Sequence, residues 1–100
     1  MDTKIEEIDG KYVATLSGEM DTPSAQKAEE VLKSLYNCDG KDVVIDCTEL
    51  AYIASSGLRI LIKIVKGAKA SGNHVVLKGV NDDIKNVFKM TGFLPLFVLE

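Results

Sequence analysis

Apolar and polar residues alternate in the opening stretch. Residues 3–8, TKIEEI, and 11–18, KYVATLSG, are separated by Asp9-Gly10, and a two-residue Asp-Gly between such runs predicts an antiparallel hairpin. The period then lengthens. Ala28, Val31, Leu32 and Leu35 share one face of a helix over 22–37. Thr22 suits its cap and Pro23 its first position, where the missing N–H has no partner to lose. Asn37-Cys38-Asp39-Gly40 ends it. Val43-Val44-Ile45 is a β-branched run without alternation, the pattern of a central strand buried on both faces.

Thr48 to Ser55 reads as a connection into a helix from about Ser56 to Ala70. Its apolar residues Leu58, Leu61, Ile62, Ile64, Val65 and Ala68 cover a wide arc, so it lies on the sheet. Arg59, Lys63 and Lys66 share the remaining face and turn a basic stripe to water. After Gly72-Asn73, His74–Lys78 forms another strand. Asn81 caps a third helix, with Asp82 and Asp83 favourably placed at the positive end of its dipole. Ile84, Val87, Phe88 and Thr91 repeat at helical spacing and Gly92 ends the helix. Pro95–Leu99 is short enough to be only an edge strand or a packed tail. The order is β-β-α-β-α-β-α-β: an α/β fold with helices on a mixed central sheet.

Length predicts that residues 1–100 form a single domain. A hydrophobic share of 46% gives it one core. Cys38 and Cys47 allow at most one bridge and lack CxxC spacing, which points to a reducing cytoplasm. The start, MDTKIEEIDG, resembles neither a signal nor a transit peptide. Apolar runs fall far short of the roughly 18 residues that span a bilayer, so no membrane insertion is expected. A net charge of −3 and six per cent aromatics, none of them Trp, argue against direct nucleic-acid binding.

Catalytic constellations are missing from the pattern. His74 is the one histidine, with no paired nucleophile, and no G-x-S-x-G elbow, HExxH, CxxC or Gly-rich phosphate loop occurs. Ser24-Ala25-Gln26-Lys27 matches S-x-x-K by letters alone, and Cys47 reads as a small core residue. The chain is therefore expected to have no catalytic residues, metal or cofactor. Ser55-Ser56-Gly57 stands out, because it lies where a loop enters a helix and backbone N–H groups are unpaired. One reading is structural, with a serine as N-cap and Gly57 for close approach. The other is a phosphoacceptor, since a phosphate there would face N–H donors and the positive end of the dipole.

Three separated blocks, LSGEMDTPSA, VVIDCTELAYIASSGLRIL and GNHVVLKGVNDDIKNVFKMTGFLPLF, resemble the STAS domain of bacterial anti-sigma factor antagonists over about residues 8–99. The most specific part is the run through Asp46, Thr48, Leu50, Ile53, Ser55, Gly57 and Leu58. The Gly18-Glu19-Met20-Asp21 turn is a second. The resemblance implies a switch: the unphosphorylated protein binds an anti-sigma factor that is also a serine kinase, and so frees a sigma factor. Phosphorylation ends the binding, and a serine phosphatase resets it. Ser55 matches the phosphoacceptor, with Ser56 as cap or neighbour. Asp21 matches the acidic residue of the turn, and Asp46 the acid that closes the central strand. Ala54 stands where better-studied members often carry Asp, and Asp21 is the expected source of that charge. Asp21 also reads as an N-terminal cap of the first helix.

A partner packed over the loop and the start of the second helix would bury Ser55 along with Gly57 and Leu58, with Asp21 and Ser56 also in contact, while Arg59, Lys63 and Lys66 would meet acidic residues at the rim. Lys66 extends that stripe, which otherwise serves as a solvated face. The protein is expected to work as a monomer or weak dimer. Two rivals are weighed beside this one: an unphosphorylated STAS accessory subunit of a membrane transport ATPase assembly, docking through the same helix, and a small-molecule or nucleotide-binding domain or hydrolase using the Ser pair. The missing base and phosphate loop argue against the last.

Overall fold

The computed structural model describes residues 1–37 and 40–100. Cys38, and with it the question of a bridge, lies outside them; Cys47 is a free, buried thiol. The elements are β1 (Asp2–Ile8), β2 (Lys11–Met20), α1 (Thr22–Leu32), β3 (Val43–Ile53), α2 (Ser55–Ala70), β4 (Val75–Lys78), α3 (Asp82–Met90) and β5 (Val98–Leu99). Short 3-10 turns span Lys33–Tyr36 and Leu94–Leu96. This is the predicted β-β-α-β-α-β-α-β order.

The five strands lie in sequence order in one sheet. β1 pairs antiparallel with β2 through the hairpin, where Asp9 and Gly10 both have positive φ, 53° and 76°. Two successive residues in that region form the tight turn whose twist matches the strands it joins. β2 to β5 are mutually parallel. Each parallel step in the same direction takes a right-handed crossover, so α1, α2 and α3 fall on the same face. A single core cluster joins them to Leu16, Ile45, Cys47, Leu50 and Leu77 of the sheet. On the other face, Val13, Val44 and Val76 are half-buried. β3 is central as expected, but Val44 shows that it is buried fully on one face only.

Three expectations about element limits change. First, Thr48 to Ser55 is not a connection: β3 continues to Ile53 in register with β2, pairing Ser17 with Glu49 and Met20 with Ile53. The extension was hidden because its register shifts twice, between Thr15 and Ser17 and between Gly18 and Glu19, which breaks the period-two pattern. In both shifts the extra residue is on β3; Gly18, at φ 97°, lies opposite the second, and Gly18-Glu19-Met20 is strand, with the turn beginning at Asp21. Second, the helix over 22–37 is α-helical only to Leu32 and tightens into the 3-10 turn, which buries Leu35 and leaves Val31 40% exposed. Third, Pro95–Leu99 supplies both a turn and an edge strand, with Phe97 against Phe88 at a ring separation of 4.5 Å.

The caps of α3 follow the sequence reading: Asn81 accepts from the Ile84 N–H at 2.8 Å, and Gly92 follows the last turn at φ 80°. The packing of α2 on the 3-10 turn is set by Gly67, where an added Cβ would lie 2.1 Å from the Tyr36 carbonyl oxygen. That oxygen belongs to the backbone and cannot rotate aside. Ala favours a helix over Gly by about 1 kcal/mol, whereas overpacking costs about 1–3 kcal/mol. Gly67→Ala is expected to lower stability by about 1 to 2 kcal/mol on balance; chemical denaturation checks this, and a stabilised variant would contradict the packing described.

Candidate functional site

Two strand ends build the site. Met20 and Ile53 are paired neighbours, and the Ala54 N–H donates to the Met20 carbonyl at 2.8 Å. The turn into α1 and the start of α2 are thereby held side by side, and the Ser56 and Thr22 hydroxyl oxygens lie 3.5 Å apart. Gly57 completes the contact. A Cβ there would come within 2.8 Å of the Met20 sulfur and 2.9 Å of Ile53 Cγ1, so the glycine allows α2 to sit down on the strand ends.

Neither serine caps α2, contrary to the structural reading of the pair. The N-cap is Ala54, in an extended conformation and without a side-chain hydrogen bond. Ser55 and Ser56 are the first two helical residues. Ser55 is exposed and its hydroxyl has no hydrogen bond to another described residue, while Ser56 is half-buried beside Thr22.

Asp21, not Thr22, caps α1, and its Oδ1 accepts from the Ser24 N–H at 2.9 Å. The Ser24 hydroxyl and then its N–H hold the Asp21 carboxyl below the usual range. The acid therefore stands beside the start of α2 but points its charge into α1. It does not replace the carboxylate that Ala54 lacks.

The expected contact residues separate by burial. Gly57 and Leu58 are core residues, Leu58 at 3% exposure, so Leu58 offers a partner no more than the floor of a groove. Arg59 is exposed on a ridge between two grooves. One, between α1 and α2, is lined by Gln26, Glu29, Ser56, Arg59 and Lys63. The other lies between α2 and the end of α3 and is lined by Ser55, Leu58, Arg59, Ile62, Lys66, Thr91 and Phe93. The helical period makes this division: residues 55, 58, 59, 62 and 66 form one stripe, and 56, 59, 60 and 63 the next.

Lys63 is committed within the first groove. It pairs with Glu29 at 3.5 Å and lies 5.6 Å from the Tyr36 ring centre. Tyr36 donates to Glu29 at 2.6 Å. That bond first, and Lys63 second, keep the Glu29 carboxyl below its ordinary range, while burial and then Glu29 push the Tyr36 phenol up. Sequence reading missed this trio because it joins three separate segments with no local motif.

Asp46 does not close its strand. It accepts from the Thr48 hydroxyl at 2.6 Å and the Thr48 N–H at 3.0 Å, which lowers its pKa. At about 3.3 Å per residue it lies on the order of 20 Å from the start of α2. Cys47 is a core residue whose thiol burial, and secondarily Asp46, push up to about 12. Among the described residues, no group of three or more His, Cys, Asp or Glu is placed to hold a metal ion, and no helix is long and apolar enough to cross a membrane.

The STAS domain family profile matches residues 2–100, and the chain belongs to that family. It is 30% identical over 97 residues to BtrV of Bordetella bronchiseptica, named as an anti-sigma factor antagonist, covering 97% of this chain and 84% of that one. It is 30% identical over 85 residues to the anti-sigma-B factor antagonist of Listeria monocytogenes, covering 85% and 75%. In fold it is similar to the anti-sigma factor antagonist SpoIIAA of Bacillus. Its TM-score is 0.79 to the unphosphorylated form (16% identity, covering 99% of this chain and 88% of that one) and 0.74 to the phosphorylated form (17%, covering 99% and 91%).

The bare cap of α2 yields a prediction. Asp at an N-cap accepts from N–H groups of the first turn and exceeds Ala there by about 0.5–2 kcal/mol. Ala54→Asp is expected to raise stability by about 1 kcal/mol, measured by chemical denaturation; no gain would mean that the first-turn N–H groups already have partners.

Proposed function

We propose that this protein is an anti-sigma factor antagonist, a binding switch without catalysis of its own, and that Ser55 is its phosphoacceptor. The observation that carries the reading is the contrast between the two serines. Ser55 is exposed at the start of α2 and its hydroxyl has no hydrogen bond to a described residue, whereas the neighbouring Ser56 is half-buried against Thr22. The names of the relatives support an anti-sigma factor as the partner class; that this partner is a serine kinase, opposed by a serine phosphatase, is part of the proposal.

The switch is electrostatic. A phosphate on Ser55 brings a charge of about −1.5 to −2 to a helix start whose N–H groups have no side-chain cap, so the fold tolerates it. Arg59 lies one turn along, within reach of the same phosphate. Phosphorylation thus draws a cation away from the partner and sets an anion against whatever that cation had bound. Mutual repulsion and desolvation then weaken the complex without a rearrangement.

Purification with bound partners from the native cell, with phosphosite mapping, tests this. An anti-sigma factor should be recovered, with phosphate on Ser55. Ser55→Asp should bind it at least tenfold more weakly, about 1.4 kcal/mol. Ser55→Ala should bind but escape the switch, and Ser56→Ala should still be switched. Recovery of a transport ATPase with Ser55 unmodified, or undiminished binding by Ser55→Asp, would overturn the reading.

A further inference from the structure

We propose that the outer edge of β1 is a homodimer interface, at which β1 of a second copy pairs antiparallel about Ile5 and joins the two sheets into one. β1 is an edge strand of seven residues, whereas β5, at the opposite edge, has two. The tight Asp9-Gly10 turn makes Ile8 and Lys11 a pair that exchanges both backbone hydrogen bonds. The Tyr12 N–H fixes the same phase from the other side, because it points away from β1 and donates to the Asp42 carbonyl at 3.0 Å. Asp2, Lys4, Glu6 and Ile8 are therefore bonded to β2, and the N–H and C=O groups of Thr3, Ile5 and Glu7 point outward. Among the described residues no strand pairs with them.

An open strand edge recruits another strand unless its side chains oppose it. Here the side chains select one register. The outward groups allow pairings that differ by steps of two residues. Centred on Ile5, Lys4 of each copy stands opposite Glu6 of the other, at positions where cross-strand side chains approach most closely. Both side chains are exposed on the helix-free face and lie 3.2 Å apart within one strand, so they exchange partners without leaving the surface. Sliding two residues one way sets Lys4 against Lys4 and Asp2 against Glu6. Sliding the other way sets Glu6 against Glu6. Like charges directly opposed destabilise a strand pair. Glu7, the remaining acid of the strand, is held by Lys41 of its own chain.

The helix face carries a second, independent observation. A two-fold axis through Ile5, perpendicular to the sheet, brings α1 of both copies side by side on the same face. The flank of α1 beside β1 is formed by Ser24, Lys27 and Val31, across a groove from Met1 and Thr3. Val31 and Met1 are each 40% exposed. Val31 belongs to the apolar pattern of α1 yet lies outside the core, and a neighbouring α1 removes it from water. One strand and one helix flank from each copy make a small contact, near the lower limit of about 1,200 Å² for stable interfaces. The dimer is accordingly weak and concentration-dependent. The axis reverses strand direction, so the two Ser55 residues stand at opposite ends of the joined sheet and both stay uncovered. An extended segment of another protein would need a base and an acid in this same order to fit the edge; β1 itself already has them.

Sedimentation equilibrium of the intact protein from about 5 µM to about 1 mM tests this. Wild type is expected to pass from monomer to dimer across that range. Lys4→Glu and Glu6→Lys should each raise the dissociation constant at least tenfold. An equimolar mixture of the two variants should associate like wild type, because each supplies the charge that the other lacks, and so should the double variant Lys4→Glu/Glu6→Lys. Thr3→Pro removes an outward donor while sparing the bonds to β2 and should also weaken association at least tenfold, with thermal unfolding reporting that each variant is folded. Wild type that stays monomeric throughout would overturn the proposal. So would a dimer undiminished by either charge variant, or a mixture that fails to associate. If a charge variant does not fold, Thr3→Pro decides alone, and association at wild-type strength would overturn the edge pairing.

Discussion

The parallel pairing of β2 and β3 as far as Met20 and Ile53 is the constraint on which the site depends. Both strands end at the same level, and the hydrogen bond from the Ala54 N–H to the Met20 carbonyl closes the last rung. The two chain segments that follow, one into α1 and one into α2, have no freedom to separate. Gly57 seats α2 on those strand ends, and the rotational setting of the helix follows from that contact. Ser56 is turned toward Thr22, and Ser55, one residue earlier, toward solvent and the end of α3.

This places a small chemical difference on a rigid support. Adjacent serines in a sequence look alike, yet a step of about 100° around a helix separates an exposed hydroxyl from a half-buried one. The same step divides the cations of α2. Lys63 is held on the α1 side by Glu29 and Tyr36, whereas Arg59 and Lys66 remain available on the α3 side. The basic stripe therefore divides into one held cation and two exposed ones.

Much of the fold was legible because local signals agreed. Asp9-Gly10, the Asn81 cap, Gly92 and the apolar arc of α2 each had one physical reading, and the structure follows them. The second half of β3 was not legible. Its register shifts twice, so Thr48, Glu49, Ala51 and Tyr52 lose the alternation that would mark a strand. Capping was misassigned for a related reason. A serine is a better cap than alanine, but the position of the cap on α2 is set by where β3 ends, and that is decided by pairing with β2. The stripe of Arg59, Lys63 and Lys66 was visible as a pattern. Its division needed Glu29 and Tyr36, which only tertiary structure brings near.

The proposed switch requires that phosphate on Ser55 change what the surface can bind while leaving the fold in place. Fully Ser55-phosphorylated and unphosphorylated protein can be compared by backbone NMR and by affinity for the same anti-sigma factor. Shift changes confined to the start of α2 and its neighbours across the two grooves are expected, together with at least a tenfold loss of affinity. Shift changes spread through the sheet core, or equal affinities of the two forms, would contradict it.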